Sequence, residues 1–274
     1  MRNRFMSFGF FFTVVLLFSS SGSAQVYFPS AGGHREPASA AAAKVAPMPA
    51  YDPHDLSGVW RGGGVLSDKA VPPMTPEGQK LFNANKPSQY VRTGDPDPGK
   101  YIPAFGNDPL AKCDPLGFPR NLGGPMEIVQ TPGKIVQIFE DGRRIREIWT
   151  DGRKLPEDLD PRWYGWAVGH WEGDTLVVES TGYDERTWLD ASGYPHSQDM
   201  HIVERYSHPD AVTLQVSMTL TDPKVYTKPW SGQKAFKMEL PKGLTVLNEN
   251  YCVPSEEESF NQHVRDPAAG KKDK

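Results

Sequence analysis

Several short stretches of the chain alternate hydrophobic and polar positions with a period near two, which is the pattern of half-buried β-strands. Turns rich in glycine, proline and aspartate, such as Thr131-Pro132-Gly133 and Glu172-Gly173-Asp174, separate these stretches. The pattern predicts consecutive antiparallel hairpins in an all-β domain, arranged as a barrel or a sandwich. The predicted strands are Glu127 to Gln130, Lys134 to Glu140, Arg144 to Thr150, Thr175 to Ser180, His201 to Tyr206 and Thr213 to Thr221.

One stretch favours a helix instead. Thr75 is a good N-cap residue and Pro76 suits the first helical position, so a short helix is predicted from Pro76 to Phe82, outside the sheet. Upstream, the segment from Asp55 to Trp60 is predicted to open the first strand.

The ends of the chain differ from its middle. Residues 1–24 combine arginines, an apolar run from Phe5 to Phe18 and small residues up to Ala24, as a cleaved secretory signal peptide does. A membrane anchor is the alternative, but the run is shorter than the ~20 residues of a spanning helix. Residues 25–50 are predicted to be a disordered leader and residues 255–274 a disordered tail. Residues 51–254 then form a single domain, exported to the periplasm or secreted.

Export changes the interpretation of the two cysteines. In an oxidising compartment Cys113 and Cys252 are expected to form a disulfide, although two buried thiols remain the alternative. Two separated cysteines are too few for a structural zinc site.

Charge and motifs exclude several function classes. The formal net charge is −4 without a basic stripe, which argues against a nucleic-acid partner. Phosphate loops, dinucleotide-binding glycine patterns and Gly-x-Ser-x-Gly are missing, so no cofactor is expected. A small molecule is therefore the predicted partner.

The first predicted strand carries Gly58-Val59-Trp60, which resembles the Gly-x-Trp signature of lipocalins and the wider calycin barrels. In those proteins the tryptophan closes one end of the barrel and often packs against an arginine from a late strand. The resemblance implies a closed barrel rather than a sandwich, and Arg205 is the expected partner of Trp60.

The chain also resembles a widespread, uncharacterised family of secreted bacterial proteins. The resemblance covers the region from Asp55 to Cys252 and implies export but no particular reaction. It is carried by DLSGVW at Asp55, CDPLGFPR at Cys113, EIVQTPG at Glu127, VGHWEGDTLVVES at Val168, YPHS at Tyr194, HIVERY at His201 and DPKVYTKPW at Asp222.

Candidate catalytic residues lie in the polar connection between the strands that begin at Thr175 and His201. His196 and His201 titrate near neutral pH, and Asp184 or Asp190 is placed to orient them at a cavity mouth. The alternative is that both histidines only brace the connection against the barrel rim. A metal site that includes His170 is a further alternative, although the spacings match no metal motif, so none is predicted.

Other polar and aromatic residues are candidates for ligand binding. Glu179 is expected to reach into the barrel, and Arg120 is suited to an acidic group or to bracing its loop. Aromatic rims stack sugars and aromatic rings alike. The candidate set is Trp166, His170, Glu179, Arg205, Tyr226, Trp230 and Arg120.

Two main hypotheses follow. The first is an exported barrel protein that converts a small ligand by histidine and carboxylate acid–base chemistry, as an isomerase, lyase or hydrolase. The second is a lipocalin-like carrier or sensor of a small apolar or aromatic molecule. A structural envelope protein is a third possibility. Convergence of His196 and His201 on one cavity would favour the first hypothesis over the second.

Overall fold

The computed structural model of the protein describes residues 51–87, 106–240, 245–265 and 267. The predicted signal peptide and leader lie outside these ranges. The described strands are β1 (Gly58–Arg61), β2 (Met126–Thr131), β3 (Lys134–Phe139), β4 (Ile145–Trp149), β5 (Trp166–Glu172), β6 (Thr175–Thr181), β7 (His201–Asp210), β8 (Thr213–Thr221) and β9 (Trp230–Met238).

The strands form a closed barrel in sequence order, with β9 pairing back onto β1. The predicted all-β class is confirmed, and the barrel is consistent with a lipocalin- or calycin-like architecture. The topology differs from a pure meander at one place, because β4 and β5 are parallel while every other described pair is antiparallel. A parallel neighbour needs a long connection that returns the chain to the same end of the barrel. Residues 150–165 provide it.

The strands β5 and β9 were not predicted. In β5 the more buried positions are taken by the small residues Ala167 and Gly169, whereas the apolar Trp166 and Val168 are at the more exposed positions. In β9, four of the first six residues are glycine, serine, glutamine and lysine, and only Trp230, Phe236 and Met238 are buried. The hydrophobic period of both strands is therefore too weak to identify from sequence.

The described helices are few and short. The helix α1 (Pro76–Ala84) begins as predicted, because the Thr75 hydroxyl accepts a hydrogen bond from the Gly78 N–H at 3.0 Å. A second helix, α2 (Pro254–Phe260), and a π-helical turn (Asn261–Arg265) fall in the segment predicted to lack regular structure. Short 3₁₀ turns cover Asp68–Ala70, Pro109–Lys112 and Arg120–Gly123.

The predicted disulfide joins Cys113 to Cys252, with 5.3 Å between their Cα atoms. It therefore links the loop before β2 to the residues that precede α2. Within the described residues, no helix has the length and apolar character needed to cross a membrane.

The barrel interior is filled by alternate residues of each strand. Large apolar side chains such as Trp60, Met126, Phe139 and Phe236 are fully buried there. Polar side chains share this interior, because Gln137, Arg146, Ser180 and Glu204 are also buried. Buried charges are costly unless they are paired, so this cluster requires an account of its own.

Candidate functional site

An open cleft of about 430 Å³ lies beside the parallel pair of strands, and we call it the seam cleft. One wall is the edge of β4, and the other is the segment that leads into β5. Its lining residues are Ile145, Arg146, Glu147, Trp149, Pro161, Arg162, Trp163, Tyr164, Gly165, Trp166 and Ala167. Of the residues predicted to bind a ligand, Trp166 lies here.

Each tryptophan of the seam cleft has a cationic group over its ring. The Arg162 guanidinium lies 3.3 Å from the ring centroid of Trp166, and Arg186 lies 4.2 Å from that of Trp163. Arg153 lies 3.7 Å from the centroid of Trp149. These cation–π contacts hold the rings in fixed orientations, and Arg162 places a positive charge in the lining of the cleft.

The cations of the cleft differ in how they are compensated. Arg153 pairs with Asp151 at 2.6 Å and Arg186 pairs with Asp184 at 2.5 Å. Within the described ranges, no carboxylate forms an ion pair with Arg162. A bound anion is the kind of group that would complete its coordination.

The tryptophan side chains are positioned by a sharp turn before β5. Gly165 has a φ of +64°, and a Cβ atom there would lie 2.8 Å from the Thr181 carbonyl oxygen. The Gly165 N–H donates to the Arg162 carbonyl at 3.1 Å, and the Trp166 indole N–H donates to the Asp160 carbonyl at 3.0 Å. Glycine is required because other residues rarely adopt this conformation.

Behind the cleft, the barrel interior contains a polar network centred on Arg146 and Glu204, which we call the lumen network. Arg146 donates to both carboxylate oxygens of Glu204, at 2.9 and 2.6 Å. It also donates to Gln137 at 3.0 Å and to Ser180 at 3.1 Å, while the Phe118 ring covers its guanidinium at 3.7 Å. The Tyr206 hydroxyl donates to Glu204.

The lumen network is fully desolvated. Side-chain exposure is 1% for Arg146 and 0% for Glu204. Burial alone would lower the pKa of Arg146, but the Glu204 carboxylate outweighs that effect and the pKa is raised above its usual value. Burial also raises the pKa of Tyr206 and of the neighbouring Tyr183. Arg146 therefore keeps its charge and the two tyrosines keep their protons, which fits a structural network rather than a proton relay.

A second open cleft, of about 440 Å³, lies at one end of the barrel, and we call it the rim cleft. It brings together three residues predicted from sequence, Arg120, Asp190 and Trp230. Tyr226 lies beside it, with its ring centroid 5.6 Å from that of Trp230 and its hydroxyl donating to the Pro195 carbonyl. The aromatic residues predicted at the barrel rim thus lie together.

Most polar groups of the rim cleft already have hydrogen-bond partners within the protein and are only partly available to a ligand. Arg120 forms a bidentate pair with the buried Asp108, at 2.9 and 2.7 Å. Asp190 accepts hydrogen bonds from the backbone N–H groups of Ser192 and Tyr194, yet burial raises its pKa above the ordinary value. The Trp230 indole nitrogen is buried without a hydrogen-bond partner in the described part of the chain.

His196 is buried inside the connection between β6 and β7. Its Nε2 lies 2.7 Å from the Thr187 hydroxyl and its Nδ1 lies 3.1 Å from the Ser197 carbonyl oxygen. Because the carbonyl only accepts, a neutral ring donates from Nδ1 and accepts at Nε2. Burial lowers the pKa of His196, so the neutral form is favoured.

His201 lies elsewhere, on the outer face of β7. Its side chain is 41% exposed, and its Nε2 lies 4.0 Å from the Glu179 carboxylate. Glu179 is thus also outside the barrel, not in the lumen as expected, because the inward positions of β6 are Leu176, Val178 and Ser180. The two histidines do not converge on a shared cavity.

Three other residues of the predicted site, His170, Arg205 and Asp184, form ion pairs and line neither cleft. His170 lies 3.2 Å from Glu172, and Arg205 lies 2.7 Å from the same carboxylate, all on the outer face. Asp184 pairs with Arg186, whose hydrogen bond holds the pKa of that carboxyl below its usual range.

The expected contact between Arg205 and Trp60 is absent. Arg205 points outward from β7, whereas Trp60 is buried and donates its indole N–H to the Leu56 carbonyl at 2.8 Å. The ring that meets Trp60 belongs to His208, with 5.3 Å between centroids. Arg205 and His208 are three residues apart in β7, so they point to opposite faces.

Among the described residues, no three histidine, cysteine, aspartate or glutamate side chains are grouped so that they could hold a metal ion.

Sequence reasoning missed the lumen network and most of the seam cleft. A signal for the network was present, since Glu204 shares a strand face with Ile202 and Tyr206, which are apolar or aromatic. Arg146 likewise shares a face with Ile148. A charge at an inward strand position indicates a buried partner. Trp149 and Trp163 carried no comparable signal, because their proximity depends on the parallel pairing of β4 and β5.

Comparisons with known proteins assign no family to the chain. A scan against models of protein families finds no match, and a search of curated proteins finds no relative. The resemblance to a family of secreted bacterial proteins therefore stays a prediction, and the functional argument depends on the sites themselves.

Proposed function

We propose that this protein is an exported, non-catalytic carrier or sensor of a small planar ligand, which it binds in the seam cleft. The observation that carries the proposal is the set of three tryptophan rings, each fixed by a cation, around a cleft of about 430 Å³. Ligand sites in proteins have volumes of roughly 300–1,000 Å³ and are lined mainly by aromatic and apolar side chains. The disulfide is compatible with export to an oxidising compartment.

The charge of the cleft points to an anionic ligand. Arg162 has no ion-pair partner among the described residues, and it lies directly over the ring of Trp166. A flat ring that stacks beside Trp166 would bring an attached carboxylate close to this guanidinium. An aromatic carboxylate therefore satisfies both features of the site.

The separation of the histidines supports a carrier over the acid–base enzyme. His196 is enclosed by the β6–β7 connection and His201 is on the outer surface, so they share no reaction space. Neither lines the seam cleft.

The proposal is tested by titrating the purified, oxidised protein with 2-naphthoate and following tryptophan fluorescence and heat of binding. We expect saturable binding that Trp166→Ala weakens about five- to tenfold, from the loss of stacking and of buried area. Trp171→Ala is the matched control, because Trp171 packs on His54 away from the cleft. Equal affinity in both variants, or no binding at millimolar 2-naphthoate, would contradict the proposal.

The rim cleft supports a second candidate, acid–base catalysis by Asp190. Burial raises the pKa of this carboxyl, and a raised pKa brings a carboxyl closer to the range in which it can transfer protons near neutral pH. A screen of lactones and glycosides tests this function. Turnover that Asp190→Asn abolishes, with 2-naphthoate binding unchanged, would establish catalysis in the rim cleft, whereas an inactive protein leaves the carrier as the better proposal.

A further inference from the structure

The backbone of β4 has one edge that faces β3 and one edge that faces the seam cleft. Phe139 donates to the Arg144 carbonyl and Thr150 donates to the Gly133 carbonyl, both at 2.9 Å. Hydrogen-bonded pairs alternate along an antiparallel ladder. The N–H and C=O groups of Arg146 and Ile148 therefore point toward β3, and those of Ile145 and Glu147 point toward the opposite edge.

Only part of that opposite edge is covered by β5. The parallel pairing comprises Ile148 with Ala167 and Trp149 with Val168. If the same register continued, Glu147 would face Trp166 and Ile145 would face Tyr164, but the turn at Gly165 diverts the chain. In the described chain, the Ile145 N–H, the Ile145 C=O and the Glu147 N–H have no hydrogen-bond partner.

These groups open into the seam cleft. Ile145 and Glu147 are lining residues of the cleft, and the Ile145 side chain is 57% exposed. Along this edge the backbone groups follow the order donor, acceptor, donor, which is complementary to the hydrogen-bonding groups of an extended peptide backbone. Peptides that add a strand to an open sheet edge use such groups for affinity and the neighbouring side-chain pockets for specificity.

We propose that the ligand of the seam cleft is a short linear peptide that pairs with the free edge of β4, with an aromatic side chain among the tryptophans and a carboxylate at Arg162. The inference rests on the proposed function and names the chemical class of its ligand. The free edge spans Ile145 to Glu147, which is about 7 Å at ~3.3 Å per residue. An edge of this length can pair with two to three residues of a peptide.

Charge complementarity supports the same ligand. Of the cations at the cleft, Arg153, Arg186 and Lys134 each pair with a carboxylate, whereas Arg162 does not within the described residues. A free peptide carboxylate supplies the missing anion. The uncharged edge of β4 needs only amide groups, which the peptide backbone supplies.

The experiment removes one donor from the edge and leaves the ladder with β3 intact. Glu147→Pro deletes the N–H that faces the cleft, and proline is tolerated where a strand N–H has no ladder partner. Glu147→Ala is the matched control, because it also breaks the 2.7 Å pair with Lys134 but keeps the N–H. The probes are the acetylated tripeptide Ala-Phe-Ala with a free carboxylate, its singly N-methylated derivatives, and 2-naphthoate.

We expect Glu147→Pro to bind the tripeptide at least fivefold more weakly than Glu147→Ala, because both variants lack the carboxylate and only Glu147→Pro lacks the N–H. Binding of 2-naphthoate should differ by less than twofold between the two variants, because this probe does not use the N–H. At least one N-methylated tripeptide should lose fivefold or more in affinity for the wild-type protein. This series varies the ligand alone, so it tests the inference even where Glu147→Pro does not fold.

Two other outcomes are distinguishable. Binding of 2-naphthoate without the tripeptide, or tripeptide binding that is insensitive to both N-methylation and Glu147→Pro, would overturn the peptide inference and leave the carrier in place. Failure of both probes to bind wild-type protein would overturn the carrier and the peptide together.

Discussion

The buried pair of Arg146 and Glu204 leads to a strong prediction about stability, because its two members depend on each other. Glu204→Gln leaves the guanidinium charged and enclosed by Phe118, Ser180 and Gln137. Arg146→Met leaves a carboxylate that keeps only hydroxyl donors, from Tyr206 and Ser180. Removing one partner of a buried pair typically costs 3–5 kcal/mol, since the remaining charge is uncompensated.

The double variant, Arg146→Met with Glu204→Gln, should behave differently. It removes both charges, and the introduced glutamine amide can still accept a hydrogen bond from Tyr206. Apolar or neutral replacements of a whole buried pair are often close to neutral. We therefore expect the double variant to lose less free energy of unfolding than either single variant, about 0–2 kcal/mol.

Urea denaturation at pH 7 under oxidising conditions measures these differences, with the free energy of unfolding taken by linear extrapolation. A single-variant loss of 3–5 kcal/mol corresponds to a fall of roughly 6–20 °C in melting temperature for a domain of this size. The reasoning is refuted if the loss in the double variant equals the sum of the two single losses, because the sites would then be independent.

Two further predictions concern the histidines. His196→Ala should destabilise the protein by about 1–3 kcal/mol, because it leaves the buried hydrogen-bond partners of His196 unsatisfied. His201 is exposed, so His201→Ala should change the free energy of unfolding by less than ~0.5 kcal/mol. Thermal melting of the two variants measures this difference. The pKa of His196 is lowered by burial, so below pH ~6.5 the unfolded chain takes up a proton that the folded protein resists. The free energy of unfolding should therefore fall as the pH drops from 7 to 5. His196→Gln removes this titrating group, so its stability should fall less over the same pH series of thermal melts. An identical pH dependence in wild type and variant would contradict this reasoning.

The strands that could be predicted from the sequence are those in which the local pattern of apolar and polar residues matches the structure. The strands β2, β3, β4, β6 and β8 were predicted within one residue at either end, because each carries a period near two and is bounded by turn residues. The strand β9 was missed because it presents polar side chains along most of its length. Its place in the barrel depends on hydrogen bonds to β8 and β1, which carry no hydrophobic period.

The candidate site was less predictable for a different reason. Polar composition drew attention to the β6–β7 connection, but its polar groups mostly bond to the connection itself. Asp190 accepts from Ser192 two residues later, and His196 is held by Thr187 and its neighbour Ser197. Sequence shows which residues are polar, whereas burial and partners decide whether they are available to a ligand.

The seam cleft illustrates why a long-range feature escapes sequence reasoning. Its walls are separated in the chain by residues 150–160, and they meet only because β4 and β5 run parallel. A parallel pair of two residues closes the barrel but leaves the start of β4 as an open edge. Open edges promote aggregation, and proteins usually cover them or place charges beside them. Arg162 is such a charge beside this edge, so we expect the side chains proposed to bind a short peptide also to limit pairing with longer strands.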